Sequence, residues 1–89
     1  MPTREFRIIN EKGMHARAAA EFTRLAAKFK SAIYVMREGV EVNGKSIMGV
    51  LMLAAYFEST IQVRAEGDDA APALDALQAL VENKFGEEA

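Results

Sequence analysis

His15 and Arg17 are the residues of this chain best suited to chemistry. His15 is the only histidine among 89 residues. It stands at the head of Ala16-Arg17-Ala18-Ala19-Ala20-Glu21-Phe22, a strongly helix-favouring run, with Gly13 as a natural break just upstream. A helix start leaves its first amides without carbonyl partners. An imidazole there, with a guanidinium two residues on, marks a spot fit for an anion, which is what a phosphorylated histidine requires. An isolated histidine is more often an ordinary surface residue, so the reading depends on what the rest of the chain supplies.

The second informative segment is Lys45-Ser46-Ile47-Met48-Gly49-Val50-Leu51-Met52-Leu53-Ala54-Ala55, apolar all round a short helix. One face alone can pack on a small sheet, and Val50, Leu53 and Ala54 are the expected set. Part of Ile47, Met48, Leu51 and Met52 then stays at the surface. Scattered exposed apolar residues are normal, but a contiguous patch holding two methionines suits docking to several partners. Ser46 is placed as an N-cap, a role worth ~1 kcal/mol. As a modification site it would set roughly −1.5 to −2 charges at a helix start.

These residues need elements to position them. Thr3 to Ile9 alternates as a strand, with Phe6 and Ile8 on one face and Glu5 and Arg7 on the other. Asn10-Glu11-Lys12-Gly13 reads as a loop. Ala18, Phe22, Leu25 and Phe29 follow the 3.6-residue period, which predicts an amphipathic helix from Ala16 to about Phe29. Ala32 to Met36 and Val40 to Val42 read as a hairpin turning at Arg37-Glu38-Gly39. A short helix is expected from Ile47 to about Ala54, and a strand from Ser59 to Glu66. Gly67-Asp68-Asp69 is a turn ending in an acidic cap. The last helix carries Leu74, Leu77 and Val81, tolerates Pro72 in its first turn and runs to about Phe85, where Gly86 ends it.

The order β-α-β-β-α-β-α is that of an α+β fold. Four short strands and three helices cannot cover both faces of a sheet. The expectation is an open-faced β-sandwich, a four-stranded antiparallel sheet with three helices on one face. Residues 1–89 are expected to form a single domain, too short for two cores. With 51% hydrophobic and 27% charged residues, the composition is that of a folded globular chain. There is no cysteine, so neither disulfides nor a thiolate metal site is available. No apolar run approaches the ~20 residues of a membrane span, and the N-terminus has charges where a signal peptide needs apolar residues. A cytoplasmic monomer with no cofactor and no bound metal is the expectation.

The net charge of −2 argues against nucleic acid. Arg4, Arg7, Arg17, Arg24, Lys28 and Lys30 nonetheless bias the first thirty residues positive, and Glu82, Glu87 and Glu88 bias the end negative. That gradient reads equally as solvated faces or as a positive docking face, Arg24 included, for an acidic protein. An RNA-binding sheet face would need stacking aromatics, for which Phe6 and Tyr34 are the only candidates.

Gly13-Met14-His15-Ala16-Arg17-Ala18-Ala19, followed about thirty residues later by Asn43-Gly44-Lys45-Ser46-Ile47-Met48-Gly49-Val50, resembles HPr, the histidine-containing phosphocarrier family of the bacterial phosphoenolpyruvate-dependent phosphotransferase system. The resemblance spans essentially the whole chain. It implies an open-faced β-sandwich and a phosphoryl group accepted at His15 on Nδ1 and steadied by Arg17. It further implies a regulatory phosphorylation site at Ser46 and a docking surface at Ile47, Met48 and Leu51. The implied partners are Enzyme I as donor, an enzyme IIA-type acceptor and, at Ser46, an HPr kinase/phosphorylase. Ala18 stands where many sugar-branch members have proline. With Ala19, the Asn43–Ser46 segment and Leu51-Met52-Leu53-Ala54-Ala55, it is similar to the nitrogen-related branch, often called NPr. The implied role is that of a phosphoryl carrier and not an enzyme. The alternative is a non-catalytic regulatory module that phosphorylation merely switches.

Overall fold

The computed structural model describes residues 2–88. The elements run β1 (Thr3–Arg7), α1 (Ala16–Ala26), β2 (Ala32–Arg37), β3 (Val40–Asn43), α2 (Ile47–Met52), β4 (Thr60–Glu66) and α3 (Ala70–Glu82), closed by a short 3-10 turn at Lys84–Gly86. The sheet order is β1-β4-β2-β3 with every neighbouring pair antiparallel. This is the open-faced β-α-β-β-α-β-α arrangement expected from the periodicities.

Strand alternation decides which face is covered. Phe6 pairs with Ile61, and Val63 lies between Arg4 and Val35, so one face carries Phe6, Ile61, Val63, Val35 and Ile33 into a core with Phe22, Val50, Leu74 and Leu77. Arg4 shares that face at the sheet's edge and reaches α3, where it meets Asp75 at 2.6 Å and Gln78 at 2.9 Å. On the open face Arg64 lies 4.4 Å above the Tyr34 ring and 3.0 Å from Glu41. Phe6 is in the core, so the pair of sheet-face aromatics considered from the sequence does not exist, and Tyr34 is covered by a guanidinium. Among the described residues no helix is long and apolar enough to cross a membrane.

Several boundaries differ from the sequence expectation, each for a local reason. β1 ends at Arg7, because Ile8 leaves the ladder to exchange backbone hydrogen bonds with Glu58 and Ser59. α1 stops at Ala26, since Lys28 and Phe29 bond three residues back and tighten the last turn. Lys45 Nζ then caps the Phe29 carbonyl at 2.7 Å. The β2–β3 turn is the two-residue kind, with Glu38 at φ 51° and Gly39 at φ 82°. α2 ends at Met52, and Ala54 is exposed in a left-handed conformation (φ 51°) and does not join Val50 and Leu53 in the core.

α3 departs from the sequence expectation at both ends. Asp69 stands at its start but makes no cap hydrogen bond. Its carboxylate instead accepts from the Lys30 amide at 2.8 Å, the Ser31 amide at 2.9 Å and the Ser31 hydroxyl. Gly67 makes this docking possible: a Cβ there would lie 2.8 Å from Ser31 Cα. At its other end α3 stops at Glu82, three residues before the expected end. Lys84, Phe85 and Gly86 all take positive φ, so the chain doubles back, buries Phe85 and delivers Glu87 to the opposite end of α1.

Candidate functional site

His15 is the N-cap residue of α1, in extended backbone conformation, and its carbonyl accepts from the Ala19 amide at 2.8 Å. Helix geometry leaves the amides of Ala16, Arg17 and Ala18 without partners inside α1. The His15 side chain makes no cap bond and is 30% exposed. Arg17 is exposed on the first turn. The two residues singled out by type and spacing are thus together at one helix start.

The loop that carries His15 is pinned on both sides. The Met14 amide donates to the Ala55 carbonyl at 2.8 Å, and the Gly13 amide to the Asn10 carbonyl at 3.0 Å. Gly13 has φ 67°, and a Cβ on it would stand 2.7 Å from the Ala55 carbonyl oxygen and 2.9 Å from Tyr56 Cα. Only glycine fits this crossing of the histidine loop and the 54–59 segment. Asn10 is wholly buried, and its Nδ2 donates to the Gly13 carbonyl at 2.8 Å.

Glu87 is the neighbour that sequence reasoning missed. One carboxylate oxygen accepts from Asn10 Nδ2 at 2.9 Å and the other contacts His15 Nε2. Its side chain is 8% exposed. Burial is the largest single influence on this carboxyl and pushes it up. The Asn10 hydrogen bond, the His15 hydrogen bond and charge, and Lys12 together outweigh it, so Glu87 titrates below its ordinary value. An ionised carboxylate can only accept hydrogen bonds. Among the described residues Nδ1 has no hydrogen-bond partner. Beside this pair, Lys12, Arg17, Gly86, Glu87 and Glu88 line a shallow depression of about 300 Å³. The sole sequence hint of this arrangement is an apolar Phe85 followed by glycine, beyond a helix that had already turned polar at Glu82-Asn83-Lys84.

The second segment folds as a docked helix with an apolar outer surface. Ser46 Oγ accepts from the Gly49 amide at 3.1 Å, the N-cap bond expected of it. Gly49 brings α2 close to β3, where a Cβ would lie 3.3 Å from Val42. Val50 and Leu53 are buried, Leu51 is half-buried, and Ile47, Met48 and Met52 are exposed, the last two at 66% and 77%. Tyr56 and Phe57 add exposed aromatics that the sequence reading left out. They belong to the segment that crosses the histidine loop. Arg24 is exposed on α1 but is engaged at 2.9 Å by Glu21, one turn earlier, which offsets part of its charge. No group of three or more residues able to hold a metal ion occurs among the described residues.

A family model described as "PTS HPr component phosphorylation site" matches residues 2–83. The Phosphocarrier protein HPr of Cupriavidus necator is 49% identical over 98% of each chain. Among solved structures, HPr-C-His from Thermoanaerobacter tengcongensis is similar with a TM-score of 0.96 at 44% identity, covering all of both chains. An HPr dimer from the same organism is similar with a TM-score of 0.79 at 44% identity, over 98% of this chain and 100% of that one.

Proposed function

The chain belongs to the HPr family of phosphocarriers, and on that premise we propose that it accepts a phosphoryl group on His15 Nδ1 and passes it to a second protein. The observation that carries this reading is His15 at the N-cap of α1, part exposed, with Nδ1 unengaged and Arg17 on the same turn. Neutral imidazole is the nucleophile. Its Nδ1 lone pair attacks phosphorus as the donor's N–P bond breaks. The first-turn amides and the Arg17 guanidinium then face the phosphoryl oxygens, and each exposed interaction of this kind is worth about 1 kcal/mol. That is enough to make the carrier state accessible and too little to trap it.

The donor is Enzyme I charged by phosphoenolpyruvate, the acceptor an enzyme IIA-type protein, and the chain works as a cytoplasmic monomer. The acceptor is of the regulatory, nitrogen-related kind, a reading supported by Ala18-Ala19 and Leu51-Met52-Leu53-Ala54-Ala55. Docking uses Arg24 with Ile47, Met48 and Leu51, supported by the exposed apolar surface of α2. Ser46, half-buried beside that surface, is the regulatory phosphorylation site. A dianion there would place charge against an apolar contact and slow transfer.

Incubation with Enzyme I, magnesium and labelled phosphoenolpyruvate tests the reading. Acid-labile label on His15, absent from His15→Ala and discharged onto an enzyme IIA acceptor, is the expected result. Label that stays on His15 and only alters partner affinity would favour the regulatory-module alternative. Ser46→Asp is expected to accept phosphate more slowly than the parent, and an unchanged rate removes the inhibitory role.

A further inference from the structure

We propose that Asn10 and Glu87 are a positioning pair that holds the His15 ring as its Nε2–H tautomer, leaving the Nδ1 lone pair for the incoming phosphoryl group. This deepens the reading above and rests on it. A neutral imidazole carries one proton and two nitrogens, and the hydrogen bond made by one nitrogen decides which is the nucleophile. Here an ionised carboxylate on Nε2 settles that choice, and Nδ1 is the atom left bare.

The carboxylate is itself held from behind. Asn10 is wholly buried, and its Nδ2 faces two acceptors, the Gly13 carbonyl at 2.8 Å and Glu87 at 2.9 Å. Its Oδ1 is buried without a partner. Turning the amide over would set that oxygen against two others, so the orientation is forced. A buried, half-satisfied amide is costly and is kept where it does something. It ties the loop that carries His15 to the returning C-terminal segment, so one side chain sets both histidine and carboxylate. The other charged groups at this point are Lys12 on the same loop, Arg17 on α1 and Glu88 next along the chain.

The arrangement also bears on the transfer itself. When Nδ1–P forms and the donor nitrogen takes back its electron pair, Nε2 keeps its proton and the ring gains positive charge. Glu87 offsets that charge, as the buried carboxylate of a serine-hydrolase triad does for its imidazolium. In onward transfer the leaving group is then neutral imidazole and not imidazolate. The proton stays in place throughout.

Nitrogen-15 NMR of the unphosphorylated protein, paired with rates of label transfer from Enzyme I, tests the pair. The parent is expected to show Nε2–H. Glu87→Gln keeps its oxygen toward Asn10 and turns its amide toward Nε2, which forces the Nδ1–H tautomer. It is expected to accept phosphate at least about tenfold more slowly while its melting transition stays cooperative and well above the assay temperature. Glu82→Gln makes the same change in net charge on the exposed side of α3 and is expected to match the parent. A Glu87→Gln protein that keeps Nε2–H, or accepts phosphate within about twofold of the parent, overturns the inference while the carrier function stands. A parent that takes no label on His15 would overturn the carrier reading, and the NMR comparison would still decide the tautomer.

Discussion

Carboxylates at two places in this molecule act by accepting from groups far away in sequence, and both are sensitive to acid. Asp69 is held at about 2, down from 3.8, first by the Ser31 hydroxyl and next by the Lys30 amide, with a lesser contribution from the Ser31 amide, against an upward push from desolvation. A folded value below the unfolded one means the stabilisation is complete above pH 3.8 and disappears as pH falls toward 2. Asp69→Asn is therefore expected to melt lower than the parent at pH 6, with the two curves converging near pH 2. A constant gap down to pH 2 would show that the carboxylate charge is not the source. Glu87 is shifted in the same direction, so the anchoring of the C-terminal segment also weakens only below its ordinary range near 4.5.

Among the connections between elements, the crossing of the 10–14 loop and the 54–59 segment matters most for the site. Gly13 and Gly39 both have positive φ, but a Cβ on Gly13 meets backbone at 2.7 Å and one on Gly39 meets nothing within 4 Å. Gly39→Ala is expected to cost only the conformational penalty, about 1 kcal/mol. Gly13→Ala must also push the two segments apart. It is expected to lose about 1–3 kcal/mol more and to slow phosphate acceptance at His15. Denaturant titration and label transfer on the two variants check this, and equal losses would mean the crossing does not position the histidine. Ser46 belongs to this scale too: Ser46→Ala is expected to cost about 1 kcal/mol through the lost cap to Gly49.

The molecule as a whole separates the buried residues that hold it together from the exposed apolar residues proposed to meet partners. Phe22 is fully buried against all three helices' side of the sheet, and Phe22→Ala is expected to cost about 3–5 kcal/mol. Met48 and Met52 are mostly exposed, so Met48→Asp with Met52→Asp is expected to leave stability within about 0.5 kcal/mol while slowing phosphate uptake from Enzyme I. Comparing the melting temperature with the rate of labelling separates the two effects. Normal uptake by the double variant would move the docking surface elsewhere, toward Tyr56 and Phe57.

Periodicity and residue type were enough for the element order, for the covered face of the sheet and for the pairing of His15 with Arg17, because these depend on neighbours two to four positions apart. Ser46 as a cap was legible for the same reason. The turn pattern puts Asp69 at the start of the last helix as a local cap, whereas its hydrogen bonds run thirty-eight and thirty-nine residues back along the chain. Glu87 was legible only as terminal charge, since its approach to His15 spans seventy-two residues and depends on three consecutive left-handed residues after α3. Short-range pattern cannot encode such a contact. It exists because Phe85 is buried in the core, and that burial turns the last residues of the chain toward the start of α1.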